Sequence, residues 1–217
     1  MNPLLIRRRG MMMAQGGVVP PMPQDTYLSF VAKTRNSSVS MQKHGEPAAV
    51  SLEYTLDGDT WYPYTIGDVI QLPFVGSWVK FKGVNSVFGN GSAWNYFVMT
   101  GVIDAYGDLT SILNGIGGDY TPGAARAFIR LFDGCLSLRR APDLPTVRLG
   151  NRQYYQTFNN CANLNYIKTY MKYTSANQCL NGWVVGVGGN GTFVCPQELT
   201  ISYGASGIPN GWTRVDL

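Results

Sequence analysis

The sequence predicts a mainly β, multidomain protein in which a turn-rich β module is followed by a short stack of repeats. Three observations lead there. Glycine (26) and proline (12) make up about 18% of the 217 residues, above the usual roughly 12%. Charged residues are only 14% while aromatics reach 12%, which excludes disorder and coiled coils. Apolar residues alternate with a period of two as far as Tyr106, and beyond Asp108 a spaced motif recurs every 26 positions.

Residues 25–106 carry the strand pattern. Leu28, Phe30 and Ala32 alternate with Tyr27, Ser29 and Val31, and Val50, Leu52, Tyr54 and Leu56 with Ser51, Glu53 and Thr55; such alternation marks half-buried strands. The second run enters Asp57-Gly58-Asp59 and extended character resumes at Trp61, Tyr62 and Tyr64, which reads as a tight hairpin because primed turns need φ > 0. Further strands are expected at Val69 to Leu72, Trp78 to Lys82 and Trp94 to Thr100. Six or seven short strands in this span predict an immunoglobulin-like β-sandwich.

Residues 107–217 carry the repeat. Phe132, Cys135, Leu138 and Ala141 recur as Phe158, Cys161, Leu164 and Ile167, and Trp183 marks a third, degenerate unit. Periods of 20 to 29 with Leu and Asn/Cys at set offsets predict a leucine-rich-repeat-like solenoid, each unit giving a short strand and a helical or turn segment. Cys179 to Val187 reads as helix-like, Thr192 to Cys195 and Leu199 to Ile201 as a capping strand pair.

Residues 1–24 stand apart. An apolar and basic start (Pro3, Leu4, Leu5, Ile6, Arg7, Arg8, Arg9) leads into Gly16, Gly17, Pro20, Pro21 and Pro23, a composition suited to a docking arm and linker rather than a core. The three arginines supply +3 of the net +4, so no general basic face predicts a nucleic-acid partner. No apolar run approaches the roughly 18 residues of a spanning helix, so no membrane insertion is expected. Gln15 and two glycines interrupt the apolar start, so a secretory signal is not expected either. The four cysteines lack metal-type spacing and read as reduced core residues of a protein made and folded in the cytoplasm.

No constellation predicts catalysis, a metal or a cofactor. Gly186-x-Gly188-x-x-Gly191 matches the dinucleotide fingerprint in letters, but that motif must lead from a strand into a helix, and here the order is reversed. The lone histidine, His44, lies in a polar stretch that reads as a loop; Asp57, Asp59 and Asp68 could ligate calcium, but the hairpin already explains the first of them. Trp94, Tyr96, Tyr154, Tyr155, Tyr166, Tyr170 and Tyr173 would offer a sugar-stacking platform only if exposed together.

The phrase Phe132-x-x-Cys135-x-x-Leu138-x-x-Ala141-Pro142-x-Leu144-Pro145 resembles the BspA-like leucine-rich repeat. The ending, Cys179-Leu180-x-x-Trp183-x-x-Gly186-Val187 with Gly207-Ile208-Pro209-x-Gly211-Trp212-Thr213, is similar to the C-terminal cap of those proteins. The opening at Asn2 to Arg9, with Glu53-Tyr54-x-Leu56-Asp57-Gly58-x-x-Trp61, resembles a two-domain form found in gut Bacteroidales and their phages, including crAss-like phages. The resemblance implies a non-enzymatic virion protein, a fibre or decoration element of the head or tail. It would be anchored to other virion proteins by the arm and expose its tip to a host surface glycan or protein; the low charge and abundant aromatics add the expectation that it self-associates as a dimer or trimer, since closed homo-oligomers bury such surface. The alternative it implies is a bacterial cell-surface adhesin.

Overall fold

The computed structural model describes residues 26–123 and 125–217. Within them lie twelve strands and one helical turn: β1 (Leu28–Ala32), β2 (Ser37–His44), β3 (Leu52–Thr55), β4 (Tyr62–Tyr64), β5 (Val69–Leu72), β6 (Trp78–Gly83), β7 (Trp94–Thr100), β8 (Ile103–Tyr106), α1 (Ser111–Asn114), β9 (Leu138–Arg140), β10 (Tyr166–Lys168), β11 (Thr192–Cys195) and β12 (Thr213–Asp216). The protein is mainly β.

Nine strands form one sheet in the order β12-β11-β10-β9-β8-β1-β6-β3-β4, and β5-β2-β7 form a second. From β4 to β8 the large sheet is antiparallel, with Leu28 opposite Phe81 and Ser29 opposite Tyr106; from β8 to β12 it is parallel. The small sheet covers the antiparallel half. Phe97 on β7 meets Phe30 and Phe81 at 4.9 and 5.5 Å between ring centroids, edge-on geometry that aromatic quadrupoles favour. Tyr64 ties the layers together: its hydroxyl accepts from the Met41 amide at 2.7 Å and donates to the Asp68 carbonyl at 2.6 Å. Burial pushes that hydroxyl's pKa up to about 12.

Beyond β8 the chain coils into three stacked turn ribbons. Arg126, Arg130 and Gly134, then Arg152, Gln156 and Asn160, then Gln178, Gly182 and Gly186 all have positive φ, one left-handed residue in every four. That spacing lets alternate amides point in different directions. Tyr155 and Thr157 donate to the carbonyls of Arg152 and Tyr154 within their own ribbon, while Tyr154, Gln156 and Phe158 donate to Cys179, Asn181 and Trp183 in the next. The same alternation joins the first ribbon to the second, through Phe128 to Gln153 and Phe132 to Thr157. Buried main-chain groups are thus paired without helix or strand, as burial requires.

The sandwich stands where a preceding ribbon would. The amides of Phe88 and Phe97 donate to the carbonyls of Ala127 and Leu131 at 2.9 and 2.8 Å. Two aromatic rows follow the same path: Phe88, Phe128 and Tyr154 are stacked at 6.4 and 5.5 Å, and Phe97, Phe132 and Phe158 at 5.5 and 5.4 Å. Trp183 ends both rows. One hydrophobic core consequently runs from Leu28 to Trp212, and the expected boundary between residues 106 and 107 falls inside a continuous sheet.

Several local expectations are corrected. His44 is not in a loop but ends β2, a strand in which Val39 and Met41 are buried and the intervening Ser38 and Ser40, buried as well, have their hydroxyls satisfied across the sheet by Thr100 Oγ1 and the Val98 carbonyl. The Asp57-Gly58 hairpin exists, since β3 pairs with β4, yet six residues connect the strands rather than a tight turn. Asp57 explains the difference: its Oδ1 accepts from the amides of Asp59 and Thr60 and organises a wider loop. Cys179 to Val187 is the third ribbon, not a helix, because Gly182 and Gly186 take positive φ. Leu199 to Ile201 forms no strand; β11 pairs with β12 instead.

Candidate contact surface

Along the parallel strands the 26-residue period sorts side chains by face. Ala141, Ile167 and Phe193 point into the core with no exposed area, so their predecessors Arg140, Tyr166 and Thr192 take the opposite face, where they lie in register. On β8 the register partner of Arg140 is Asp104, and the ring of Tyr106, two residues further on, reaches the same guanidinium. The Arg140 guanidinium sits between two rings, 3.8 Å from the Tyr166 centroid and 4.9 Å from that of Tyr106, an arrangement that attracts through the ring quadrupoles. Its Nη2 lies 3.5 Å from Asp143, while its buried Nε has no partner among the described residues.

Two ion pairs flank that stack. Lys168 Nζ approaches Asp143 Oδ2 at 2.9 Å and lies 4.9 Å from the Tyr170 ring centroid. Burial pulls the Lys168 pKa down, but hydrogen bonds to Tyr170 and Asp143 outweigh it and the net shift is upward. On the sandwich side Asp104, only 5% exposed at its side chain, receives Arg139 Nε at 2.9 Å and Nη2 at 2.7 Å, with Lys33 at 3.6 Å. Burial pushes the Asp104 carboxyl up, yet the Arg139 hydrogen bonds and charge hold it below the usual range. Chemically, the face offers planar aromatic and guanidinium surfaces beside fixed charges.

A second cluster lies on the sandwich. His44 stacks on Trp94 at 4.1 Å, and Arg130 of the first ribbon lies 4.4 Å from the same indole. Arg130 Nε also donates to Gln156 Oε1 at 2.7 Å, so this cluster braces the junction. Among the described residues no three His, Cys, Asp or Glu side chains converge as metal ligands. Gly188 and Gly191 serve packing: a Cβ there would lie 2.9 Å from the Leu164 carbonyl oxygen and 2.5 Å from that of Asn165. A groove of about 360 Å³ beside the third ribbon is lined by Thr174, Gln178, Asn181, Ser202 and Ser206 among others.

The repeat residues singled out from sequence, Phe132, Cys135, Leu138, Phe158, Cys161, Leu164 and Trp183, are all brought together in the core. Cys161 Sγ donates to the Phe132 carbonyl at 2.9 Å, and all four cysteines are buried free thiols. The arm residues Pro3, Leu4, Leu5, Ile6, Arg7, Arg8 and Arg9 lie outside the described residues. Of the aromatic platform, Tyr154 is buried, Tyr166 and Tyr170 are half-buried and Tyr173 is exposed. Sequence reasoning missed Arg140, Asp143, Lys168, Asp104 and Tyr106. The signal for the first was present, since Arg140 and Tyr166 immediately precede the recurring Ala141 and Ile167.

Comparison of the chain with protein families, curated proteins and solved structures returns no match. The reading of its role therefore rests on its own residues and on the resemblance that they carry.

Proposed function

We propose that this chain is a non-enzymatic structural protein of a phage particle, a fibre or decoration element of head or tail. Residues 1–24 attach it to other virion proteins, and an immunoglobulin-like sandwich continuing into a leucine-rich-repeat-like tip faces outward. One observation supports the reading above others: the sandwich amides of Phe88 and Phe97 take the place of a preceding ribbon, so sandwich and repeats share one sheet and one core. A body built this way carries force and holds its far end at a set distance from its attachment, since nine strands at about 4.8 Å spacing extend roughly 38 Å. An enzyme needs a cleft with convergent reactive groups; this fold invests its buried side chains in aromatic rows.

The arm has the chemistry of an attachment device. Burying Leu4, Leu5 and Ile6 contributes about 1.5 to 3 kcal/mol each, and the three arginines add charge-assisted contacts to carboxylates. Ordering the backbone costs about 1 to 2 kcal/mol per residue, so one arm binds weakly and several arms on one assembly bind firmly.

The test is deletion of residues 1–24 followed by a thermal melt and a particle-incorporation assay. Melting within a few degrees of the full chain, with incorporation abolished, is the expected result. Retained incorporation overturns the anchoring role, and absence of the protein from a mass-spectrometric inventory of purified virions overturns the virion reading in favour of a cell-surface adhesin.

A further inference from the structure

Five Asn-Gly pairs occur in the chain, at 90–91, 114–115, 181–182, 190–191 and 210–211. Such a pair carries a reaction of its own. The glycine amide nitrogen, once it gives up its proton, can attack the side-chain carbonyl carbon of the asparagine, because glycine has no side chain to obstruct the approach. Two conditions govern the attack: the asparagine side chain must be free to swing onto its own main chain, and the glycine N–H must be free to lose its proton to water. A hydrogen bond to either group holds the reaction back.

Three of the five pairs are held. Asn90 Oδ1 accepts from the amides of Ser92 and Ala93, each at 3.0 Å. Asn114 Oδ1 accepts from the amides of Ile116 and Gly117 at 3.0 and 2.8 Å, and the Gly115 amide donates to the Ser111 carbonyl at 3.0 Å. The Gly182 amide donates to Ser206 Oγ at 3.0 Å. The other two pairs differ. Asn190 and Asn210 are exposed, and neither their side chains nor the amides of Gly191 and Gly211 have a hydrogen-bond partner among the described residues.

We infer that Asn190 and Asn210 are sites of spontaneous modification, converting to aspartate and isoaspartate while Asn90, Asn114 and Asn181 persist. In each conversion a bond forms between the glycine nitrogen and the asparagine Cγ, the bond from Cγ to the side-chain nitrogen breaks, and that nitrogen takes up a proton and leaves as ammonia. Water, the one co-reactant, then opens the five-membered imide. Opening at Cγ gives aspartate; opening at the main-chain carbonyl gives isoaspartate, whose main chain runs through the side-chain carbons.

Each event removes one unit from the net charge of +4, and the isoaspartate form lengthens the main chain by one methylene. The two sites adjoin, since a Cβ on Gly211 would run into the Gly189 carbonyl, and they lead into β11 and β12. There is no slack at Gly191. Its carbonyl accepts from the Thr213 amide at 2.9 Å, and a Cβ on it would lie 2.5 Å from the Asn165 carbonyl oxygen and 2.7 Å from the buried Trp212 ring. The protein therefore carries an age-dependent weakening where its last two parallel strands begin, a property of this chain that is independent of the virion reading.

Incubation of the full chain at mildly alkaline pH, followed by digestion at low pH and mass spectrometry of the peptides, tests it. Peptides containing Asn190 and Asn210 should show the amide-to-acid mass change and separate into two isomers. Asn90, Asn114 and Asn181 should convert about three- to tenfold more slowly, the factor that one hydrogen bond contributes, whereas in denaturant all five should convert at similar rates. Ser206→Ala removes the acceptor of the Gly182 amide and should speed Asn181 by about the same factor while leaving the other four unchanged. The paired variant Asn190→Gln with Asn210→Gln should stay a single charge species on isoelectric focusing and, after incubation, melt above the unmodified sequence treated in the same way. Conversion of Asn190 and Asn210 no faster than that of the other three in the folded protein, Asn181 unmoved by Ser206→Ala, or equal melting of the two incubated proteins would each overturn the proposal.

Discussion

Asp104 on β8 and Arg139 beside it on β9 form a two-pronged pair, with Nε to Oδ1 at 2.9 Å and Nη2 to Oδ2 at 2.7 Å. It spans the seam where the antiparallel part of the large sheet gives way to the parallel part. Because the Arg139 interaction holds the Asp104 carboxyl below its ordinary range, the folded state favours the ionised form more than the unfolded chain does. The stability this contributes is fully present above the unfolded carboxyl pKa of about 3.9 and is lost as pH falls through the lower folded value. Asp104→Asn should cost about 1 to 3 kcal/mol at neutral pH, the lower part reflecting the solvent exposure of Arg139. Denaturant titrations of both proteins across the acid range check this: the difference between them should shrink below about pH 4, and a constant difference counts against it.

The shared core predicts that sandwich and ribbons melt together. Calorimetry of the full chain should give one cooperative transition whose van't Hoff and calorimetric enthalpies agree. Phe132→Ala removes a ring that stacks on both Phe97 and Phe158 and should cost about 3 to 5 kcal/mol while keeping a single transition. Two separable transitions in the unmodified protein would refute the integrated fold.

The thiols should be inert until the protein unfolds. Burial pushes the Cys135 pKa up to about 11 and raises that of Cys161 well above its ordinary value, and a thiol reacts as its thiolate. A thiol-reactive dye should label four cysteines in denaturant and almost none in the native state at neutral pH. Cys161→Ser should destabilise by about 1 to 3 kcal/mol, because a more strongly polar hydroxyl replaces a packed thiol. Two or fewer reactive thiols in non-reducing denaturant would contradict the free-thiol state.

Gly107 follows β8 with φ of +69°, and a Cβ there would run into the Tyr27 carbonyl oxygen. Gly107→Ala should therefore destabilise by more than about 3 kcal/mol, combining a left-handed backbone with a main-chain clash. Gly134→Ala, with φ of +73° and nothing within 4 Å of its Cβ, should cost only about 1 to 2 kcal/mol. Equal losses in urea-unfolding measurements would show that the clash is relieved by movement of the chain.

What the sequence determined by itself was whatever repeats or alternates. The period-two runs mark β1, β5 and β7, and the 26-residue spacing placed Phe132, Phe158, Cys135, Cys161 and Trp183 in one interior, because a side chain's inward or outward sense follows from its position in a regular chain. Tertiary structure alone decided the rest. Whether β8 would be an edge or a seam depended on what lay beside it, and the same Ile103–Tyr106 strand pairs antiparallel with β1 and parallel with β9. Strand β2 carries a local signal in the alternation of Val39 and Met41 with Ser38 and Ser40, but that those serines are buried too depends on hydroxyls and carbonyls far along the chain, a compensation no local pattern carries. The third ribbon looked helical because helix and ribbon share an apolar spacing near four, and only the left-handed residues at every fourth position separate them. Arg140 likewise acquired its neighbours Tyr166 and Asp104 from register, which is set across a sheet by hydrogen bonding between segments and not by the residues next to it in sequence.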